Sequence, residues 1–63
     1  IVDQTKQAIN AVLNGERWVE LPPAAARIRR LQHQMIERYH LDSKSQGREP
    51  RRRVCVFRPE GRG

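Results

Sequence analysis

The sequence has few of the residues that build large cores or disulfide frameworks. Only three of its 63 residues are aromatic, and Cys55 is the single cysteine, which excludes an internal disulfide and a multi-cysteine zinc site. No apolar run approaches the roughly 20 residues that a helix needs to cross a bilayer, and no signal-peptide pattern opens the chain. A chain of this length forms one domain with a small core.

Acidic residues are also scarce, and the charge is unevenly distributed. The formal net charge is +6, and residues 27–58 hold ten basic residues against three acidic ones. A positive field in one half of a chain favours a polyanionic partner, most often nucleic acid, and arginine suits bidentate contacts with phosphate. The alternatives from charge alone are a solubilising basic surface, an acidic protein or a membrane surface. We expect nucleic acid, and neither a membrane nor a small-molecule substrate.

The motifs of common catalytic and metal sites are missing. The chain has no glycine-rich phosphate loop, no carboxylate pair at helical spacing and no nucleophile beside a base. The two histidines, His33 and His40, do not have the spacing to Cys55 that a zinc site needs. We therefore expect a binding module without enzymatic activity, cofactor or metal.

The first third of the chain predicts a helix followed by a short strand. Apolar residues recur at helical spacing over Ile1–Asn14, and Gly15 suits a left-handed helix end. Arg17–Leu21 alternates as a strand does, with Val19 and Leu21 on one face and Trp18 and Glu20 on the other. The prolines at positions 22 and 23 end it, because neither has an N–H to donate to a sheet.

A second helix is predicted over Ala24–Tyr39. Its apolar arc contains Ile28, Leu31, Met35, Ile36 and Tyr39. Arg29 and His33 are four residues apart at the edge of this arc, so a guanidinium and an imidazole lie one turn apart and form a small anion site. In the alternative interpretation, His33 bonds to Glu37 one turn further on and Arg29 is only solvated.

The remaining third predicts a β-hairpin. His40–Gln46 is a short strand with Leu41 facing inward, and Ser45–Pro50 is a turn built on Gly47. Arg52–Arg58 has a strong β pattern, and we expect residues 60–63 beyond it to be frayed. The order α-β-α-β-β predicts an α+β fold: a small two-layer sandwich with a three-stranded sheet and two helices on one face.

Three short segments resemble a known family when they are taken together. They are Leu21-Pro22-Pro23, Arg29-Arg30-Leu31-Gln32-His33 and, after a polar turn, Arg52-Arg53-Val54-Cys55-Val56. This arrangement resembles the R-three-H domain, which is named for an arginine and a histidine separated by three residues. The resemblance covers about residues 17–58.

The resemblance implies an accessory domain that binds single-stranded DNA or RNA with little sequence preference. Members usually occur in larger proteins, such as helicases and other ATPases, nucleases, or chains with other RNA-binding modules. Arg29 and His33 match the naming pair, whereas Arg52 and Arg53 match a basic start of the last strand more loosely. The segment Ser43–Arg53 departs from the family, because it is richer in arginine than the acidic, glycine-rich loop of several members; this predicts tighter phosphate binding.

We therefore expect Arg29 and His33 to form the central phosphate site. The secondary contacts that we expect are Arg30, Arg52, Arg53 and Lys44. Trp18 and Phe57 should project from the open sheet face, where they are candidates for stacking on bases. The alternative is a protein-interaction module, in which this face docks on the rest of a longer protein or on an acidic partner.

The chain begins at Ile1 and ends at Gly63, and we expect residues 1–63 to be one domain excised from a larger protein. We also expect an intracellular location, cytoplasmic or nuclear, rather than secretion. Cys55, on the predicted open face, is interpreted as a small hydrophobic residue.

Overall fold

The computed structural model describes residues 2–59, apart from the side chain of Val2. These residues contain two helices and three strands. The elements are α1 (Val2–Leu13), β1 (Trp18–Glu20), α2 (Ala26–Arg38), β2 (Asp42–Gln46) and β3 (Arg53–Phe57). The predicted fold class and element order are confirmed. The predicted helix start at Ile1 and the predicted fraying of residues 60–63 lie outside the described residues. Within residues 2–59, neither helix has the length and apolar character needed to cross a membrane.

The sheet is antiparallel and has the strand order β1-β3-β2. The last strand of the chain is therefore central, and β1 and β2 are the edges. Val56 of β3 pairs with Val19 of β1 on one side and with Ser43 of β2 on the other. Because side chains alternate along a strand, one face of the sheet carries these residues toward the helices, and the other face is left open.

The core lies between the helices and the inner face of the sheet. Its buried members are Ala8, Ile9, Val12, Leu21, Ile36, Leu41, Val54 and Val56. Truncating one large side chain of such a core to alanine costs about 2–5 kcal/mol. A domain of this size has few such side chains, so the inward-facing residues of each element are essential to the fold.

The boundaries of the elements differ from the predictions by one or two residues. Gly15 has a φ of 127° and follows α1, as predicted for a helix end. Helix α2 begins at Ala26 instead of Ala24, because Ala25 is extended at the N-cap position, with ψ 160°, and alanine has no side-chain acceptor to cap the first turn. The helix ends at Arg38, and His40 beyond it has a φ of 60°.

The buried face of α2 follows the predicted apolar arc only in part: Ile36 is buried in the core and Met35 packs against it half-buried. Leu31 and Tyr39, which were assigned to that arc, are exposed, whereas the buried residues of α2 are Arg29, Gln32 and Ile36. The helix is therefore turned so that its polar Arg29 edge faces inward. Arg29 is tolerated there because the Ala24 carbonyl and Glu49 pair with its guanidinium, whereas Oε1 of Gln32 is buried without a hydrogen-bond partner among the described residues.

Cys55 is buried although it lies on the open face of the sheet. It is 1% exposed at the centre of β3, and its register partners are Glu20 on β1 and Lys44 on β2. Burial raises the pKa of the Cys55 thiol and keeps it in the neutral form. The interpretation of Cys55 as a small hydrophobic residue agrees with this environment.

Candidate nucleic-acid interface

Arg29 is held in place by two internal contacts. Its Nη1 donates to the carbonyl oxygen of Ala24 at 2.6 Å, and its Nη2 lies 2.9 Å from Oε2 of Glu49. The side chain of Arg29 is only 10% exposed, whereas that of Glu49 is 61% exposed. A largely buried guanidinium needs such a partner, because an unpaired charge in this position is strongly destabilising. The alternative interpretation, in which Arg29 is only solvated, is therefore wrong.

His33 is held by the neighbouring edge strand. Its Nδ1 lies 2.5 Å from Oγ of Ser43 and its Nε2 lies 2.9 Å from Oγ of Ser45. These serines are two residues apart on β2, so their side chains lie on the same face. A neutral imidazole donates to one hydroxyl oxygen and accepts from the other hydroxyl group, which uses both ring nitrogens. The alternative interpretation, with Glu37 as the partner of His33, is wrong.

The electrostatic environment keeps the His33 ring neutral near pH 7. Burial lowers its pKa below the ordinary 6.5, and the positive charge of Arg29 lowers it further. Arg29 and His33 are neighbours on α2, but one side chain is engaged by Glu49 and the other by Ser43 and Ser45. In the free domain they are therefore not the open cationic pair that the Arg-x-x-x-His spacing predicted.

A cleft of about 340 Å³ lies between α2 and the edge strand β2. Its lining residues are Arg30, His33, Gln34, Glu37, Leu41, Asp42 and Ser43. Arg30 is exposed there, as a secondary phosphate contact must be. Glu37 and Asp42 line the cleft together with Arg30. The cleft therefore carries charges of both signs and is not a strongly basic channel.

The segment 47–53, between β2 and β3, is rich in arginine and contacts Arg29 through Glu49. It contains four arginines and a single acidic residue. We name Arg29 with these four the arginine cluster; its members are Arg29, Arg48, Arg51, Arg52 and Arg53. Because Glu49 belongs to this segment, its contact with Arg29 places the segment beside the start of α2.

Backbone and side-chain hydrogen bonds fix the shape of this segment. Arg52 Nη1 donates to the carbonyl of Gly47 at 2.8 Å, and the Arg51 N–H donates to the carbonyl of Arg48 at 2.7 Å. The N–H of Ala24 donates to the carbonyl of Arg52 at 3.2 Å, which ties the segment to the approach to α2. Gly47 has a φ of 92°, a left-handed conformation that glycine adopts without strain. The arginines are thus presented by an ordered turn.

The open face of the sheet carries an aromatic pair. Trp18 of β1 lies directly opposite Phe57 of β3, with Trp18 51% exposed and Phe57 half-buried. Directly opposite residues on antiparallel strands have side chains in contact range. Lys44 lies on the same face, next to Cys55 of β3, and is exposed.

Arg53 connects the arginine cluster with the open face. Its Nη2 lies 3.3 Å from Oε2 of Glu20, and its Nη1 donates to the carbonyl of Arg51 at 3.4 Å. The predicted binding residues therefore fall into three places. Arg30 and His33 line the cleft, Arg29 and Arg52 belong to the arginine cluster, and Lys44, Trp18 and Phe57 lie on the open face.

Three residues with a part in this arrangement were not singled out by sequence reasoning: Glu49, Ser43 and Ser45. The only available signals were that Glu49 interrupts a run of arginines and that the two serines alternate along a strand.

Among the described residues, no three side chains of histidine, cysteine, aspartate or glutamate cluster as a metal site requires.

Comparison with known proteins identifies the family. Residues 1–58 match the R-three-H domain. The chain is 37% identical over 57 residues to the uncharacterized protein ycf45 of Porphyra purpurea, a match that covers 89% of this chain and 10% of that protein. The chain thus spans about a tenth of the length of this relative. The match over nearly the whole chain shows that it belongs to the R-three-H domain family, whose members are nucleic-acid-binding modules.

Proposed function

We propose that this domain binds single-stranded DNA or RNA through phosphate contacts with little sequence specificity, as a non-catalytic accessory module. The observation that supports this best is the position of Arg53, which joins the arginine cluster to the open sheet face with its aromatic pair. Contacts to phosphates provide affinity for any sequence, and an aromatic ring can stack on any base.

The dimensions of β3 suit a single strand. Phe57 follows Arg53 by four positions, which corresponds to about 13 Å along a strand. Lys44, opposite Cys55, lies between these two ends. A single strand that places phosphates at the arginine cluster can therefore follow the open face and reach the Trp18–Phe57 pair with a base. A duplex keeps its bases stacked inside and offers none to Trp18.

Five of the predicted residues have the following parts in this proposal. Arg52, Arg53 and Lys44 contact phosphates directly, and Arg30 adds a contact from the cleft. His33 holds β2 against α2 through its serine partners. His33 thus supports the binding surface from behind and does not itself contact the nucleic acid.

A second candidate function is a protein-interaction module. It is favoured by the exposure of Trp18 and by the length of the relative, of which this chain covers 10%. In that case the open face docks on another part of a longer protein or on an acidic partner. Amide NMR shifts during a titration with a thymidine oligonucleotide separate the two: shifts in segment 47–53 and at Trp18 support nucleic-acid binding, and a silent spectrum contradicts it.

The salt dependence of binding is the quantitative test. If three to five phosphates are neutralised, a plot of log K against log salt should have a slope of about −2 to −3.5 for a single strand. Arg52→Gln and Lys44→Gln should each make the slope shallower by about 0.7. Lys6→Gln, an exposed lysine on the helix layer, is the charge-matched control and should leave the slope unchanged. Equal slopes in all three variants, or tighter binding to a duplex of the same sequence, would contradict the proposal.

A further inference from the structure

Glu49 gives Arg29 an anionic partner from within the domain. It is the single acidic residue in segment 47–53, where four arginines surround it in sequence. Its Oε2 is 2.9 Å from Nη2 of Arg29, the distance of a charge-assisted hydrogen bond. The carboxylate therefore occupies a place where an oxyanion binds the guanidinium, and that place lies within the arginine cluster.

The two partners differ greatly in exposure. The Arg29 side chain is 10% exposed and is also bound to the Ala24 carbonyl, whereas the Glu49 side chain is 61% exposed. Glu49 can rotate into water and regain full hydration, but Arg29 cannot follow it. If the carboxylate leaves, a largely buried guanidinium stays behind, and its charge strongly favours a replacement anion. The arrangement is thus stable with an oxyanion in place and does not require that the oxyanion be Glu49.

We propose that Glu49 is an internal competitor for phosphate at Arg29: when single-stranded nucleic acid binds, the carboxylate is released into water and a backbone phosphate takes its position. This inference rests on the proposed function, because it concerns the same surface. A nucleic-acid strand outcompetes one carboxylate because its neighbouring phosphates engage Arg52 and the other loop arginines at the same time. Glu49 thereby lowers the affinity of the domain for nucleic acid, and a polyanion is needed to displace it from Arg29.

A purely structural ion pair would behave differently from a competitor. If Glu49 only held the loop in place, its neutralisation would loosen the arginine cluster and weaken binding. If Glu49 competes with phosphate, its neutralisation strengthens binding. The variant Glu49→Gln separates the two, because the amide keeps the shape of the side chain and an oxygen that can accept from Nη2 of Arg29 while the negative charge is lost.

The experiment measures the affinity of the domain for a fluorescently labelled thymidine oligonucleotide of about 15 nucleotides. Glu16→Gln is the matched control, because Glu16 is an exposed glutamate between α1 and β1, outside the proposed contacts, and its loss changes the net charge equally. We expect Glu49→Gln to bind about two- to fivefold tighter than the wild type, as expected when a competing, partly exposed ion pair is removed. Glu16→Gln should show less than half of this gain. Thermal unfolding of both variants checks that they are folded.

A second measurement uses the wild-type domain alone. The side-chain carboxyl carbon of Glu49, assigned in the NMR spectrum by its loss in Glu49→Gln, should move toward the position of a solvated glutamate when the oligonucleotide binds. Equal gains in both variants, weaker binding by Glu49→Gln, or an unmoved carboxyl signal in a saturated complex would each overturn the inference while leaving the proposed function intact. If the wild type does not bind the oligonucleotide, the proposed function fails and this inference fails with it.

Discussion

Arg29 and His33 lie one turn apart on α2, yet different parts of the same β-hairpin hold their side chains. The turn of the hairpin supplies Glu49 to Arg29, and its edge strand supplies Ser43 and Ser45 to His33. The helix is thus attached to the hairpin by polar contacts as well as by its apolar side chains. Through these contacts, Arg29 and His33 fix the positions of the arginine-rich turn and of the edge strand β2.

The serine contacts predict a measurable loss of stability. Ser43→Ala removes the partner of Nδ1 and leaves a half-buried ring nitrogen unpaired, so the free energy of unfolding should fall by about 1–2 kcal/mol. Urea denaturation monitored by circular dichroism measures this change. Lys44→Ala, an exposed change on the same strand, should stay within about 0.5 kcal/mol of the wild type. If Ser43→Ala were as stable as Lys44→Ala, the hydrogen bond between His33 and Ser43 would contribute nothing to the stability of the fold.

The lowered pKa of His33 predicts how stability depends on pH. Since the folded state disfavours the protonated ring, the unfolded chain binds more protons once the pH falls below about 6.5. The free energy of unfolding should therefore be fully present above this pH and decrease as the solution becomes more acidic, until the folded ring is also protonated. Urea titrations between pH 7.5 and 5, with His33→Gln as the reference, measure the difference. The wild type should lose more stability than the variant over this range, and parallel curves would contradict the assignment.

The two glycines with positive φ form a matched pair for a test of the loop. A Cβ at Gly15 meets nothing within 4 Å, whereas a Cβ at Gly47 lies 2.6 Å from Nη1 of Arg53 and 3.2 Å from the Arg51 carbonyl. Gly15→Ala should cost about 1–2 kcal/mol through its backbone conformation alone. Gly47→Ala should cost about 1 kcal/mol more and weaken oligonucleotide binding, because Arg53 has to move. Equal stability losses and equal affinities in the two variants would contradict the close packing of the loop.

Base stacking is tested by two side chains of equal exposure. Trp18 and Leu31 are both 51% exposed, but Trp18 lies on the open sheet face and Leu31 lies on α2. Trp18→Ala should weaken oligonucleotide binding by about 1–3 kcal/mol, whereas Leu31→Ala should leave it unchanged. The fluorescence of Trp18, the single tryptophan, should also be quenched in the complex. Unquenched fluorescence with full affinity in Trp18→Ala would favour the protein-docking function of this face.

Local patterns were enough to predict the architecture. The alternation over β1 and β3, the glycine after α1 and the two prolines after β1 each act within a few residues, so their consequences can be derived from adjacent positions. The Leu-Pro-Pro strand end, the Arg-x-x-x-His spacing and the basic start of the last strand are also local, and together they identified the family correctly. Charge and spacing are properties of the chain itself, and folding does not change them.

The partners of the charged side chains depended on the tertiary structure. Leu31 was assigned to the core and Arg29 to the edge of the apolar face because periodicity counts apolar residues and carries no information about distant acceptors. The contact between Arg29 and Glu49 joins residues 20 positions apart, and it exists only because the hairpin folds back onto α2. Whether a buried charge is tolerated depends on the group that meets it in space, and the packing of α2 against the hairpin places that group there.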